Sequence, residues 1–364
     1  MTVWEKIIML LTDRQTDRQT DRQTDRQRIA WIDLAKGMTI FFVVFFHALT
    51  SVHDAHMFSG RSQTIGESLI FFIATFIMPV FFALSGYVYK KAICFSDYKT
   101  KMGKRVYSLI IPYILFSLAY VIMQHVSPGS STHAVNPWSS LLWIFAQPIS
   151  YLWYIYALVL IYALSGLFDL IDLSVKKQMI VSLFLFTIAS VVNLPYFLKV
   201  VFTWLVTFES GRILKERMSI YNNNLYFLAA AALLIIAWSF QIYLGGNLWY
   251  DTNSIKPLNF VSKLASIPVF FYIYSHMNTN CVSRYFKKYG RDSLIIYLVH
   301  APVVSVMRAL GMKLGVHHYF VLIVCVVFSA WMISILACYL AGKSKIIGYV
   351  FYPTRYTNKS ISNL

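Results

Sequence analysis

Charge is what this chain has little of. Of its 364 residues only 13% are Asp, Glu, Lys or Arg, and only 15 are acidic. Together with a mean hydropathy of +0.59, that composition excludes an ordinary soluble domain. Cysteine is scarce as well. Cys94, Cys281, Cys325 and Cys338 form no close pair, which supports neither a disulfide framework nor a zinc motif. The nine histidines are scattered, with His317-His318 the one adjacent pair. A metal site at His53, His56, His317 and His318 is conceivable on paper, but no metal is assigned. Glycine and proline number only 15 and 10, and no matching halves are visible. The interrupted, internally repeated helices of many transporters are therefore not evident.

What the chain does have is long apolar runs. About ten, each near the 18 to 25 residues that a bilayer core demands of a helix, fall at 29–52, 68–89, 106–126, 149–169, 178–195, 197–214, 225–245, 257–275, 292–309 and 319–342. The reading is an all-α polytopic membrane protein of about ten transmembrane helices. A shorter run at 138–147 is expected to lie at the interface and lead into the fourth helix. Asn193, Pro195 and Lys199 must make a tight turn between the fifth and sixth. Three regions follow: a polar tail at 1–28, a membrane domain at 29–342 and a second tail at 343–364.

A net charge of +17 could point to nucleic acid, but its distribution argues otherwise. Lys90, Lys91, Lys99, Lys101, Lys104 and Arg105 crowd the second connection. Lys176 and Lys177 sit in the fourth, Arg212, Lys215 and Arg217 in the sixth, and Arg284, Lys287, Lys288 and Arg291 in the eighth. The alternate connections are poor in Lys and Arg, and 127–150 has neither. This is the positive-inside pattern, which places both termini in the cytoplasm and makes lipid headgroups, not nucleic acid, the neighbours of these charges.

Residues 12–27 are four copies of Thr-Asp-Arg-Gln, a neutral, polar, low-complexity tract that needs no fold. Its period also fits a tandem four-nucleotide unit, since repeated ACAG read in triplets encodes Thr-Asp-Arg-Gln. Slippage in such a tract would switch expression on and off. The preceding Met1–Leu11 is not expected to act as a signal peptide, because the apolar core Ile7–Leu11 is short and no small-residue cleavage site follows.

Inside the first apolar run stand Asp33, Lys36 and His47. At about 100° per residue, Lys36 lies roughly 60° and His47 roughly 40° from Asp33 around the axis, so the three share a face. Ionisable groups at membrane depth usually face a cavity or a substrate path. The plainer alternative is that Asp33 and Lys36 cap the helix at the headgroups while His47 packs.

The motifs around these residues resemble bacterial acyltransferase family three, the multi-spanning enzymes that decorate surface glycans. The match runs through Arg28-Ile-Ala-Trp31-Ile-Asp33-Leu-Ala-Lys36-Gly37 with His47 eleven positions after Lys36, then Met78-Pro79-Val-Phe81-Phe82-Ala-Leu-Ser85-Gly86-Tyr87. It continues with Lys104-Arg105 before Leu109-Ile-Ile-Pro112-Tyr113, with Tyr151-Leu-Trp153-Tyr154, and with Tyr289-Gly290-Arg-Asp-Ser293-Leu294-Ile-Ile-Tyr297-Leu-Val-His300. One departure is clear. Family members often carry paired arginines in the second cytoplasmic connection, whereas Arg105 is followed three places on by Ser108. Lys101 and Lys104 keep the spacing but lack the guanidinium fork. No esterase motif or long soluble tail is seen, so the two-domain form of the family is not expected.

The resemblance implies transfer of an acyl group, usually acetyl from acetyl-CoA, to a glycan hydroxyl across the bacterial inner membrane, with no permanently bound cofactor. It marks His47, Asp33 and Lys36 as catalytic, and Lys101, Lys104 and Arg105 as donor-binding. Ser85, Trp153, Tyr297 and His300 are marked as substrate-binding. Each of these last has a plain reading beside it: Ser85-Gly86 for close helix packing, Trp153 as an interfacial anchor, Tyr297 and His300 as hydrogen-bonding partners of a neighbouring helix. Whether His47 is a general base or carries the acyl group is not legible, though a base with an ordinary pKa near 6.5 suits a poorly nucleophilic hydroxyl. Lys36 and His47 stand roughly 16 Å apart along an intact helix. That separation divides a donor region from a reaction region. Glu209 and Arg212, three residues apart, are expected to pair as a structural element. The competing reading from another class is a transporter or flippase of a lipid-linked sugar or small acid. The acceptor sugar and the oligomeric state are not encoded in any motif.

Overall fold

The structure is a computed structural model that describes residues 29–354 apart from 129–131, 133, 247–248, 251–253 and 255. The repeat tail at 1–28 and the last ten residues of the second tail lie outside the described residues. Every regular element described is helical. In chain order these are α1 (Ala30–His53), α2 (Arg61–Tyr87), α3 (Phe95–Val126), α4 (Trp153–Leu170), α5 (Val175–Val191), α6 (Tyr196–Glu216), α7 (Asn224–Gly245), α8 (Pro257–His276), α9 (Cys281–Gly290), α10 (Ser293–Lys313), α11 (Tyr319–Lys343) and α12 (Lys345–Phe351). Each of the ten apolar runs becomes a helix. Seven spans are long and apolar enough to cross a membrane: α1, α2, α3, the segment Ser150–Leu170, α7, α10 and α11.

The other three helices differ for physical reasons. The α5 helix is 17 residues long. Five charged side chains, Lys199, Glu209, Arg212, Lys215 and Glu216, interrupt α6, and the buried face of α8 includes Asn259, Ser262, Lys263 and Ser266. Glu209 and Arg212 of α6 and the polar face of α8 turn into the bundle, where protein neighbours can satisfy them. The turn between α5 and α6 is as tight as Pro195 suggests, with Pro195 capping α6 in an extended conformation. The 138–147 run forms a short 3₁₀ turn, Trp138–Trp143, that leaves Trp138, Leu142, Trp143 and Phe145 exposed.

The basic connections gather at one end of the bundle. There Trp31 of α1 meets Tyr87 at the end of α2 and Tyr221 after α6, with ring centroids 5.3 and 5.5 Å apart. We call this the basic end and the opposite one the far end. The central helix is α1, which packs against α2, α8, α9, α10 and α11. Its polar stripe is thereby held inside the protein. The α9 helix, which reads in sequence as a basic loop, is set by a capping box between Asn280 and Ser283.

The crossing of α1 and α9 depends on two glycines. A Cβ on Gly37 would fall 1.9 Å from the Phe286 carbonyl oxygen, and one on Gly290 would fall 1.7 Å from the Asp33 carbonyl oxygen. A second pair works the same way where α2 meets α6. There a Cβ on Gly86 would meet the Phe208 oxygen at 1.9 Å, and one on Gly211 the Ala83 oxygen at 1.8 Å. Backbones approach this closely only where both sides lack a side chain.

Candidate active site

The stripe on α1 faces one continuous stretch of chain. Near the basic end, Asp33 is 8% exposed and its Oδ2 lies 3.4 Å from Nε of Arg291, at the α9–α10 junction. Next comes the Gly37–Gly290 contact. Toward the far end, the His47 ring faces His300 of α10 at 4.9 Å between centroids. Lys36 is half-buried on the same helix. The first and last of the family-like motifs are therefore packed against each other along their whole length.

His300 is fully buried, and its Nδ1 lies 2.7 Å from the Tyr297 carbonyl oxygen and 3.1 Å from that of Ile296. Both partners only accept, so Nδ1 carries the hydrogen and the neutral ring keeps its lone pair on Nε2. That Nε2 has no hydrogen-bond partner among the described residues. The ring is also bordered by Tyr151 and Tyr297, at 5.6 and 5.7 Å. These two tyrosines bond each other's segments: Tyr297 Oη donates to the Tyr151 carbonyl, and Tyr151 Oη donates to the Leu298 carbonyl at 2.8 Å. The start of α4 is thus tied to α10 immediately beside the two imidazoles.

His47 is half-buried and lines a pocket of about 60 Å³ at the far end. Thr50 and Ser51 of α1 and Asp54, the residue that caps its end, follow it at three, four and seven residues, and Ser150, Tyr151 and Ser305 add to the wall. Ser150 has φ of +49°, a left-handed conformation that a non-glycine residue adopts at a cost and that tends to mark functional sites. Sequence reasoning missed Thr50, Ser51, Asp54 and Ser305. For Thr50, Ser51 and Asp54 the signal was available, because their spacing continues the His47 stripe, whereas Ser305 comes from α10 and only packing brings it here.

Ser85 and Trp153 do not line this pocket. Ser85 Oγ donates to the Phe81 carbonyl at 2.9 Å and lies 3.3 Å from Tyr154 Oη. Trp153 packs on Phe82 and Trp204, at 6.2 and 5.5 Å. Tyr154 links the two regions, with its ring 5.4 Å from that of Tyr297. A file of polar and aromatic side chains therefore runs from Ser85 through Tyr154 and Tyr297 to His300 and His47.

At the basic end, Lys101 Nζ bonds Asp97 at 2.6 Å and the Lys91 carbonyl at 2.8 Å. Lys104 is exposed. Arg105 lies over the rings of Tyr89 and Tyr162, at 4.5 and 4.3 Å. Beneath it sits a buried ionic cluster. Arg212 pairs with Asp169 at 2.8 Å and Glu209 at 3.3 Å, and donates to Gln178 Oε1 at 2.6 Å. Ser165 bonds Glu209, and Tyr89 Oη bonds Asp169, each at 2.8 Å. Burial and the Asp169 carboxylate hold the Tyr89 phenol above its ordinary range. The Glu209–Arg212 pair was expected; Asp169, Gln178 and Tyr89 come from distant segments and were not. Among the described residues, no group of three or more His, Cys, Asp or Glu is placed to hold a metal ion.

The family model for the acyltransferase domain, acyltransferase family three, matches residues 29–338. The chain belongs to that family. No curated protein and no solved structure matches the chain. The family model spans α1 to most of α11, and so takes in His47, His300, the pocket and the basic end. This family member is a membrane acyltransferase by domain and by helix composition.

Proposed function

We propose that this acyltransferase moves an acetyl group from cytoplasmic acetyl-CoA to a hydroxyl of a cell-surface polysaccharide or lipopolysaccharide sugar, from a multi-pass position in the bacterial inner membrane. The observation that carries the reading is His47 on the wall of a hydroxyl-rich pocket at the far end, with His300 behind it. His47 takes the proton of the acceptor hydroxyl as its oxygen attacks the thioester carbonyl. The new C–O bond forms, the C–S bond breaks, and the proton passes to the departing thiolate. His300, held by two carbonyls through Nδ1, offers its Nε2 lone pair beside His47 and steadies the imidazolium that forms. Lys36 and Asp33 line the donor route nearer the basic end. Arg105 and Lys104 meet the anionic half of the donor, and Lys101 supports that loop through its bond to Asp97. Ser85 and Trp153 stand along the arm's path. The basic end faces the cytoplasm, so the thin pantetheine arm spans the interval between Lys36 and His47.

Replacing His47 with Ala tests the reading. Normal protein level in the membrane with loss of the acetyl ester from surface glycans, read by mass spectrometry, is the expected result. Undiminished acetylation overturns it. The repeat tail adds phase-variable expression: the gene is expected to encode residues 12–27 by uniform ACAG units, and mixed synonymous codons would end that idea.

A further inference from the structure

The pocket beside His47 has a one-sided chemistry. Among the described residues its lining has seven hydroxyl side chains, Thr50, Ser51, Ser150 and Ser305 among them, one carboxylate, Asp54, and no Lys or Arg. Hydroxyls and a carboxylate are what a polyol needs, since each sugar hydroxyl both donates and accepts, and a carboxylate accepts from two neighbouring ones. An anionic sugar would find no Lys or Arg among the described residues of the wall and would meet the exposed Asp54 carboxylate at short range. A fixed positive charge, Arg308, stands one turn beyond Val304 on α10. Its side chain is 4% exposed, it interacts electrostatically with Asp54, and it is not part of the lining. Arg308 and Asp54 thus offset each other, with the carboxylate on the accessible side. Size adds a second constraint. About 60 Å³ admits a few waters or one edge of a pyranose ring, not a whole ring.

We propose that the acceptor is an uncharged sugar presented edge-on, and that Asp54 is the residue that sets this preference. The inference rests on the acyl-transfer reading above. It assigns Asp54 a specificity role, separate from proton removal by His47.

The test uses the full chain in lipid nanodiscs with acetyl-CoA. Its acceptor panel is methyl glycosides of uronic acids and of sialic acid, each beside its neutral primary amide, so that members of a pair differ in charge alone. Neutral methyl hexosides serve as positive controls. We expect the wild type to acetylate the amides at least about tenfold faster than the paired acids, the size of effect one close like charge produces. In Asp54→Asn, with the carboxylate gone and the Arg308 charge kept, the ratio should reverse in favour of the acids. The double variant Asp54→Asn/Arg308→Gln should bring it near unity, and it guards against a fold defect caused by keeping a buried guanidinium while its Asp54 interaction is removed. Equal or faster transfer to the acids by the wild type overturns the proposal while leaving acyl transfer standing, as does an unchanged ratio in both variants. No transfer to any panel member or control overturns the acyl-transfer reading and this inference with it.

Discussion

The imidazoles of His47 and His300 face each other at 4.9 Å between ring centroids, although they come from the first and tenth helices of the chain. The outer of the two lines the pocket, and the inner is fully buried with Nδ1 committed to backbone carbonyls. In the proposed mechanism the outer ring meets substrate and the inner ring holds the outer one in place.

His300→Ala should therefore lower the transfer rate by about 10²-fold or more while leaving the donor KM within a few-fold of wild type. His300→Gln, whose side chain can still accept a hydrogen bond, should recover part of the rate. Steady-state kinetics on the purified protein measure both. A rate that is indifferent to either change would show that His300 only packs.

Tyr297→Phe removes the phenol that donates to the Tyr151 carbonyl but keeps the ring. A buried carbonyl left without its donor costs about 1–3 kcal/mol. The expected outcome is a lowered melting temperature in detergent together with a drop in kcat, because the segment carrying Ser150 and Tyr151 loses its tie to α10. Wild-type values for both would show that this bond does not position the pocket wall.

Gly37→Ala and Gly290→Ala each place a methyl group inside backbone-contact distance of the neighbouring helix, at 1.9 and 1.7 Å. The α1–α9 crossing must open to admit it, at a cost of about 1–3 kcal/mol or more. Thermal unfolding of the solubilised protein should show the loss, and Gly103→Ala, where nothing lies near, should not. Equal stability of all three variants would contradict the crossing.

Arg212→Met leaves Asp169 and Glu209 buried with their shared cation gone. Breaking such a cluster from one side costs about 3–5 kcal/mol. Adding Asp169→Asn and Glu209→Gln should restore much of the stability, since the desolvated charges disappear together. Unfolding midpoints of the single and triple variants decide it.

Much of this was legible before any coordinates. Each of the ten apolar runs located a helix, and seven of the spans are long and apolar enough to cross a bilayer core, which demands about 20 apolar residues whatever the fold. The angular position of His47 on α1 followed from helix periodicity alone. Other features were hidden for stated reasons. The α9 helix is short, basic and held by a cap and by Gly37, so no apolar run announced it. The partners of Arg212 come from α4 and α5, and pairing between distant segments leaves no local pattern. Ser85 and Trp153 carry family-like motifs, yet they lie along an aromatic file beneath the pocket, not in its wall.

Composition and periodicity by themselves determined an all-helical membrane protein with a polar stripe on its first helix, because hydropathy and the 3.6-residue repeat are local properties. Only the tertiary structure decided that the stripe meets α9 and α10, that His300 stands behind His47, and that Asp54 lines a hydroxyl-rich pocket. Those relations depend on which helices pack together, and close glycine crossings and buried ion pairs set that packing between residues far apart in the chain.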